Sequence, residues 1–328
     1  MTLDEFREQW QSPSLFIPAH TSGSTGQPKP VRLLKTDMEA SARATNTLFG
    51  LDAGSLLVCP LALDYIAGKM MAVRAWLLGA EPLMVAPSNR PDLPPLCSLL
   101  AVVPSQVPAV AQAIKAGKTV VENLLIGGAA LPISTARMLA EELPQVAAYE
   151  SYGMTETCSH VALRRVGGDG LFHAMPGVTF STDGRGCLVI KAERLSEAVI
   201  VTNDMVRLAD SGSFEWLGRI DNVINSGGIK LFAEQLEAEI AKALASSPFG
   251  NIDFFITSEP DAKWGDRVVM VVEKDADGLS PDVQAMTDLM KAAMPSSHIP
   301  KRIVEVPSLA RTASGKVRRI LPAESAEF

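Results

Sequence analysis

The first half of this chain alternates short apolar segments with segments of helical periodicity. SLLVCPL (55–61) and NLLIG (123–127) have the length of strands, whereas VPAVAQAIKAG (107–117) repeats its apolar residues at helical spacing. Thr36 and Glu39 predict a capping box at the start of an earlier helix. Strands that alternate with helices of this length form parallel sheets with helices on both faces. The sequence therefore predicts an α/β fold with a mainly parallel sheet.

The pattern changes twice further along the chain. From about residue 172 to residue 217, short strands alternate with glycine turns, which predicts an antiparallel β subdomain. A smaller α+β pattern follows Arg219. We therefore predict a large N-terminal domain over residues 1–219, made of the sheet and the β subdomain. Residues 220–328 are predicted to form a small, mobile α+β C-terminal domain.

Charge and cysteine content exclude several classes of function. The 328 residues carry a formal net charge of −7, and no basic cluster is dense enough to neutralise nucleic-acid phosphates. The four cysteines lie far apart, which argues against a zinc site and favours a reducing cytoplasm. The N-terminus lacks the apolar core of a signal peptide, and no apolar run reaches the about 20 residues that span a bilayer. We expect a cytoplasmic enzyme that binds neither nucleic acid nor membrane.

The segment TSGSTGQPK (21–29) combines glycines, hydroxyl side chains and one lysine. It fails the Walker A pattern, because Pro28 stands where a glycine is required and Lys29 is followed by Pro30. The prolines also remove amides that a Walker loop directs at phosphate. A loop rich in hydroxyl and backbone donors can instead fold over a triphosphate and release pyrophosphate. We expect a phosphate loop, and the alternative is a solvated linker.

Four sequence blocks together resemble the adenylate-forming superfamily, which includes acyl-CoA ligases, adenylation domains of peptide synthetases and luciferases. The blocks are TSGSTGQPK (21–29), SYGMTET (151–157), GRIDNVINSGG (218–228) and ASGKVRR (313–319). The resemblance implies that a carboxylate attacks the α-phosphate of ATP to give an acyl-adenylate and pyrophosphate. A thiol, such as that of CoA, then displaces AMP. Because two anions must approach each other, the first step needs Mg²⁺ and a further cation.

The resemblance also implies roles for individual residues. Lys316 would bridge the acid carboxylate and the α-phosphate, Thr155 would contact the α-phosphate, and Glu156 would hold Mg²⁺. Asp204 would bind the ribose hydroxyls, and Asp221 would be the hinge of the C-terminal domain. The other residues implied in ATP or AMP binding are Thr21, Ser22, Gly23, Ser24, Thr25, Gly26, Lys29, Gly128, Ala129, Tyr152, Gly153 and Arg219. The implied channel for the pantetheine arm of CoA is lined by Gly227 and Gly228.

A narrower resemblance concerns the acid. It is to the short o-succinylbenzoate–CoA ligases of menaquinone biosynthesis. The segments that carry it are LDYIAGKMMAVRA (63–75), YGMTETCSH (152–160) and LGRIDNVINSGGIK (217–230). The aromatic carboxylate of that acid must be recognised, and a buried carboxylate needs a cationic or hydrogen-bonding partner. We expect Lys69 or His160 to receive it, with Tyr65 replacing the usual gating residue; the alternatives are an ordinary surface lysine and an ordinary core histidine. Arg74 follows Lys69 by five residues, which turns it away from Lys69 on a helix, and Arg164 is a further candidate.

Other interpretations stay open. The chain could activate another small carboxylic acid, load a carrier-protein thiol, or be a non-catalytic nucleotide-binding homologue. The presence of Thr155, Glu156, Asp204 and Lys316 argues against the last. Few residues precede the phosphate loop compared with most members of the superfamily, which leaves open a homodimer in which a partner covers an exposed sheet edge.

Overall fold

A computed structural model describes residues 1–20, 30–250, 252–274, 280–311 and 317–322. The helices in these ranges are α1 (Leu3–Gln11), α2 (Lys35–Leu48), α3 (Ile66–Leu77), α4 (Val107–Lys115), α5 (Ile133–Glu142), α6 (Ala233–Leu244) and α7 (Val283–Ala293). The strands of the first half are β1 (Phe16–His20), β2 (Pro30–Leu34), β3 (Leu57–Cys59), β4 (Leu83–Met84), β5 (Leu96–Val102), β6 (Val120–Ile126), β7 (Ala147–Gly153), β8 (His160–Arg165) and β9 (Phe172–Ala174). Those of the second half are β10 (Val178–Thr182), β11 (Cys187–Ala192), β12 (Val199–Asp210), β13 (Ser213–Arg219), β14 (Val223–Ser226), β15 (Ile229–Phe232), β16 (Phe254–Asp261), β17 (Gly265–Glu273) and β18 (Arg302–Val306).

One mixed sheet of eleven strands contains β3 to β13, in the order β10-β11-β12-β13-β9-β8-β7-β6-β5-β3-β4. Strands β4, β3, β5, β6 and β7 pair in parallel. The direction reverses at β8, and β8, β9 and β13 pair in antiparallel fashion. The predicted α/β fold is confirmed. The strands expected to form a β subdomain extend the parallel half as part of the same sheet.

The apolar runs of the parallel strands form the core because helices cover them. Leu100 of β5 and Leu124 of β6 are fully buried, and they belong to one cluster with Val107 of α4 and Leu139 of α5. Strand β5 is buried from Cys97 to Val102, as expected for a strand covered on both faces. The core therefore fixes where the strands end, and the loops that follow those ends carry the predicted site.

Helix α3 is buried on every side, since each residue from Gly68 to Ala75 is buried. Gly68 is required there, because a Cβ atom would lie 2.5 Å from the carbonyl oxygen of Ala62. The two cations of this helix, Lys69 and Arg74, are consequently both inside the protein, at 3% and 2% exposure.

The predicted capping box at Thr36 and Glu39 is wrong. Strand β2 runs directly into α2, so Leu34 takes the N-cap position without a side-chain hydrogen bond and Thr36 falls inside the first turn. A capping box does occur at α1, which the sequence analysis did not predict. There the Thr2 hydroxyl accepts from the backbone of Glu5 at 3.2 Å, and the Glu5 carboxylate accepts from the backbone of Thr2 at 2.7 Å.

Contacts between residues divide the chain into two units, residues 1–202 with 208–215 and residues 203–207 with 216–328. In the second unit β15, β14, β17 and β16 form an antiparallel sheet, and β18 adds to β17 in parallel. Helices α6 and α7 cover it through Ile240, Met286 and Met290, which pack with Met270 of β17. The predicted mobility of a domain that begins after Arg219 stays a prediction.

None of the helices in the described ranges has the length and apolar character to span a bilayer.

Candidate active site

The predicted nucleotide-binding residues Gly128 and Ala129 and the predicted phosphate-binding turn at Thr155 follow two neighbouring strands. Strand β6 ends at Ile126 and precedes Gly128, and β7 ends at Gly153 and precedes Thr155. The two strands are parallel, with Ile126 opposite Glu150. Their carboxyl ends therefore meet at one edge, which is where open α/β sheets bind ligands.

The loop after β6 is held at both ends by side chains of β7. The Ser151 hydroxyl donates to the carbonyl of Ile126 at 3.0 Å. The backbone N–H of Leu131 donates to Glu150 Oε1 at 3.1 Å. A Cβ atom at Gly127 would lie 2.5 Å from Ser151 Oγ, so a side chain there would displace the hydroxyl that holds Ile126. Between these anchors Gly128 and Ala129 are exposed, so they present a short, fixed surface to solvent.

The segment after β7 is a tight turn with its own hydrogen bonds. Thr155–Thr157 forms one 3₁₀ turn, and the Thr157 hydroxyl accepts from the backbone of Met154 at 3.0 Å and donates to the carbonyl of Ser159 at 2.6 Å. Gly153 has no room for a side chain, since a Cβ atom would lie 2.4 Å from the Ser159 carbonyl oxygen. The turn leaves Thr155 buried and Glu156 exposed.

An exposed Glu156 is compatible with a magnesium site shared with a ligand. Among the described residues no three His, Cys, Asp or Glu side chains cluster as in a metal cage made by protein alone. Mg²⁺ is commonly held by one or two carboxylates together with substrate phosphates and water. Glu156 therefore fits Mg²⁺ that arrives with ATP.

The ring of Tyr152 is packed by two phenylalanines of the same unit. It lies 5.1 Å from the Phe214 ring in an edge-on arrangement and 5.7 Å from the Phe172 ring. Phe172 and Phe214 stack on each other at 5.5 Å. Aromatic pairs at such distances restrict one another, so the predicted nucleotide contact Tyr152 has a fixed ring.

In the second unit, one arginine contacts the predicted ribose residue and the predicted hinge residue. Arg219 donates to Asp221 Oδ2 at 2.8 Å, and its Nη1 lies 3.8 Å from Asp204 Oδ1. Asp204 is buried at 7% exposure, whereas Asp221 is exposed. The structure thus brings these three predicted site residues together.

Gly227 and Gly228 form the turn between β14 and β15. Both have positive φ angles, +59° and +81°, as a type I′ hairpin turn requires. A Cβ atom at Gly227 would also lie 3.1 Å from the ring of Trp264. The hairpin by itself explains both glycines, and their role in a pantetheine channel stays a prediction.

Lys69 and Tyr65, which are both expected at the acid site, lie at the start of α3. The Lys69 ammonium donates to the carbonyls of Leu63 at 2.7 Å and Asp64 at 3.4 Å, and it lies 5.8 Å from the centre of the Phe6 ring. Burial lowers the pKa of Lys69. Tyr65 is the N-cap residue of α3 and is 44% exposed. The contacts of Lys69 are those of a lysine that ties a loop to a helix.

Arg74 lies beside His160, the other residue expected to receive the aromatic carboxylate. The helical spacing indicates only that Arg74 faces away from Lys69. Its Nη2 donates to Ser159 Oγ at 2.7 Å, and Ser159 Oγ lies 3.3 Å from His160 Nδ1. Arg74 has no carboxylate partner among the described residues, and its buried Nε has no hydrogen-bond partner there. Because α3 is buried all round, the side of the helix that carries Arg74 also meets protein.

The cluster of Arg74, Arg194 and His160 carries an excess of positive charge. Burial lowers the pKa of Arg74 to about 10, which still leaves the guanidinium charged at neutral pH. Burial, Arg74 and Arg194 together lower the pKa of His160 well below its ordinary value of 6.5, so the imidazole is neutral. Its Nε2 lies 3.4 Å from Thr45 Oγ1. The described residues thus supply two arginines and a neutral histidine, without an anion.

Several predicted residues lie outside the described ranges. They are Thr21, Ser22, Gly23, Ser24, Thr25, Gly26, Lys29 and Lys316.

Comparisons with known proteins agree with the resemblance seen in the sequence. The model of the AMP-binding enzyme family matches residues 5–187. The chain is 26% identical over 344 residues to 2-succinylbenzoate–CoA ligase of Listeria monocytogenes, across 96% of this chain and 71% of that protein. It is 32% identical to an AMP-forming acyl-CoA synthetase/AMP-acid ligase II-like protein from Dyadobacter fermentans, with a TM-score of 0.61 and coverage of 96% and 91%. It also resembles the o-succinylbenzoate CoA synthetase of Bacillus subtilis in complex with the acyl-adenylate intermediate OSB-AMP, with a TM-score of 0.74, 21% identity and coverage of 92% and 67%; this last likeness concerns the fold.

Proposed function

Because this chain belongs to the family of AMP-binding enzymes and is an AMP-forming acyl-CoA synthetase, we propose that its acid is 2-succinylbenzoate. The products would be 2-succinylbenzoyl-CoA, AMP and pyrophosphate, formed through an acyl-adenylate. Sequence identity of 26% to 2-succinylbenzoate–CoA ligase supports this acid without selecting it. The observation that carries the proposal is the buried guanidinium of Arg74.

A buried cation without an anion is unfavourable, and a ligand carboxylate would relieve it. A dicarboxylic aromatic acid offers such a group in addition to the carboxylate that reacts. Arg74 Nη2 now donates to Ser159 Oγ; a carboxylate in place of that hydroxyl would accept a charge-assisted hydrogen bond. Neutral His160, which also contacts Ser159, would donate a second one. Lys69, whose ammonium already serves two carbonyls, would hold the neighbouring loop.

The remaining roles follow from the resemblance as proposals. The succinyl carboxylate oxygen would attack the α-phosphorus, and pyrophosphate would leave. Thr155 and Lys316 would bind the α-phosphate oxygens, while Mg²⁺ held by Glu156 would neutralise the phosphates. Asp204 would hold the ribose. The CoA thiol would then lose its proton, attack the acyl carbon and displace AMP, with Gly227 and Gly228 along its pantetheine arm.

The test combines a substrate panel with substitution of Arg74. Wild-type protein is assayed for AMP release with ATP, CoA and 2-succinylbenzoate, and with an analogue in which the aromatic carboxylate is replaced by hydrogen. We expect the analogue to be a poor substrate. Arg74→Met should raise KM for 2-succinylbenzoate about tenfold to a hundredfold, the range for a hydrogen bond to a charged group, and leave KM for ATP unchanged. Arg74→Lys should recover part of the loss.

The contrary results are distinct. Equal activity on the analogue would mean that the second carboxylate is not read, and another small acid would replace 2-succinylbenzoate. Formation of adenylate without a CoA thioester would indicate a carrier-protein thiol as the acceptor. Binding of ATP without acid-dependent pyrophosphate exchange would indicate a non-catalytic homologue.

A further inference from the structure

Glu150 is a buried carboxylate that the reaction as proposed does not use. It lies on β7 at 6% exposure, and its Oε2 pairs with Arg164 Nη2 at 2.5 Å. The two residues are direct cross-strand partners of β7 and β8. Arg164, named above as a candidate for reading the acid, is therefore engaged with a carboxylate of its own chain.

One end of this pair reaches the loop after β6. Glu150 Oε1 accepts the backbone N–H of Leu131 at 3.1 Å. Leu131 is buried, while Gly128 and Ala129 before it are exposed. Since Ser151 holds the start of the loop through the Ile126 carbonyl, the bond from Leu131 to Glu150 fixes its end.

The other end reaches the ring of Tyr152. The Arg164 guanidinium lies 4.6 Å from the centre of the Phe172 ring, a cation–π contact. Phe172 in turn packs against Tyr152 at 5.7 Å. The same ion pair thus supports two parts of the chain that are predicted to bind ATP or AMP.

Stability alone is a weak reason for such a pair. The Arg164 side chain is 32% exposed, and an ion pair that reaches solvent contributes little to stability. The pair instead contributes to positioning, because a carboxylate with two acceptor oxygens can fix a backbone amide and a guanidinium at the same time.

We propose that Glu150 and Arg164 are positioning residues for adenosine, which set the places of the loop at 127–131 and of the Tyr152 ring. This inference rests on the proposed function, in that it assumes that ATP binds at this edge of the sheet. It assigns neither residue a contact with the reacting atoms.

The test measures adenosine binding separately from the binding of pyrophosphate and of the acid. AMP affinity is measured by calorimetry, and KM for pyrophosphate and for the acid by exchange assays. Glu150→Gln keeps an acceptor for Leu131 but removes the charge that holds Arg164; Arg164→Met keeps the length of the side chain without the charge.

Each variant should weaken AMP binding about fivefold to tenfold and reduce the preference for ATP over GTP, while the KM values for pyrophosphate and for the acid stay within a factor of two. The double variant should be no weaker than the worse single variant, because both break one coupled unit.

Arg165→Met is the matched control. Arg165 follows Arg164 on β8 and so faces the other side of the sheet, where its guanidinium lies 5.0 Å from the Tyr149 ring. We expect its AMP affinity to be that of the wild type. Unchanged AMP affinity in Glu150→Gln and Arg164→Met, or an equal loss for AMP, pyrophosphate and acid, would overturn the inference while the proposed function stands. Wild-type protein that binds no AMP would overturn both.

Discussion

The two cations buried in α3, Lys69 and Arg74, differ in their hydrogen-bond acceptors. This difference distinguishes a structural role from a role in substrate recognition. The Lys69 ammonium has two carbonyl acceptors and an aromatic ring. The Arg74 guanidinium has a hydroxyl and a thioether as acceptors, and its Nε has no hydrogen-bond partner in the described ranges. Lys69 uses two of the three donors of its ammonium on backbone carbonyls, whereas Arg74 uses only two of the five donors of its guanidinium and so has more to offer a ligand.

Substitution of Lys69 should therefore change stability more than substrate affinity. Lys69→Ala leaves the carbonyls of Leu63 and Asp64 without their donor, and unsatisfied buried groups cost about 1–3 kcal/mol. We expect a lower free energy of unfolding in urea and an unchanged KM for the acid. Lys118→Ala, which removes an exposed lysine, is the control and should change neither. A higher KM for the acid with normal stability would instead make Lys69 the residue that reads the carboxylate.

At the scale of secondary-structure elements, apolar patterns predicted the strands and helices because burial of apolar surface is what orders them. The same patterns could not show that the antiparallel strands join the parallel ones, since a period of two does not say which edge a strand pairs with. Helical spacing likewise could not show that α3 is buried on all sides and that Arg74 therefore lies beside Ser159 and His160. The resemblance did single out Gly153, but only the structure shows which backbone atoms crowd it.

Gly153 gives the sharpest element-level prediction. A Cβ atom there would meet the Ser159 carbonyl oxygen at 2.4 Å and His160 Cα at 2.6 Å. Both are backbone atoms that cannot rotate away, so Gly153→Ala must displace the turn that carries Thr155 and Glu156. Misplacement by about 1 Å can reduce a rate by about 100-fold, and we expect a loss of that order in pyrophosphate exchange.

Gly184→Ala is the matched control for that substitution. A Cβ atom at Gly184 would have no neighbour within 4 Å, so activity and melting temperature should stay at the wild-type values. Exchange activity of Gly153→Ala within twofold of the wild type would mean that the turn does not position the reacting groups.

At the scale of the whole molecule, the division into two units cuts through β12 and β13. Residues 203–207 and 216–219 group with the C-terminal part, so Asp204 and Arg219 belong to the same unit as Asp221. The domain boundary expected after Arg219 stays a prediction, since strand patterns do not register long-range contacts. Since Arg219 contacts both aspartates, a change of backbone at Asp221 would alter the surroundings of the predicted ribose residue.

The two half-reactions offer a test at this scale. If the C-terminal domain rotates between them, Lys316 acts in the first and is withdrawn from the second. Lys316→Ala should then reduce adenylate formation, measured as acid-dependent exchange of pyrophosphate into ATP, by about 100-fold or more, as for removal of one charge-stabilising donor. Thioester formation from chemically prepared acyl-adenylate and CoA should change far less. Arg318→Ala, which removes an exposed cation two residues away, should leave both steps at the wild-type rate. Equal losses in the two steps would show that this lysine stays at the site throughout, and the rotation would have no part in its role.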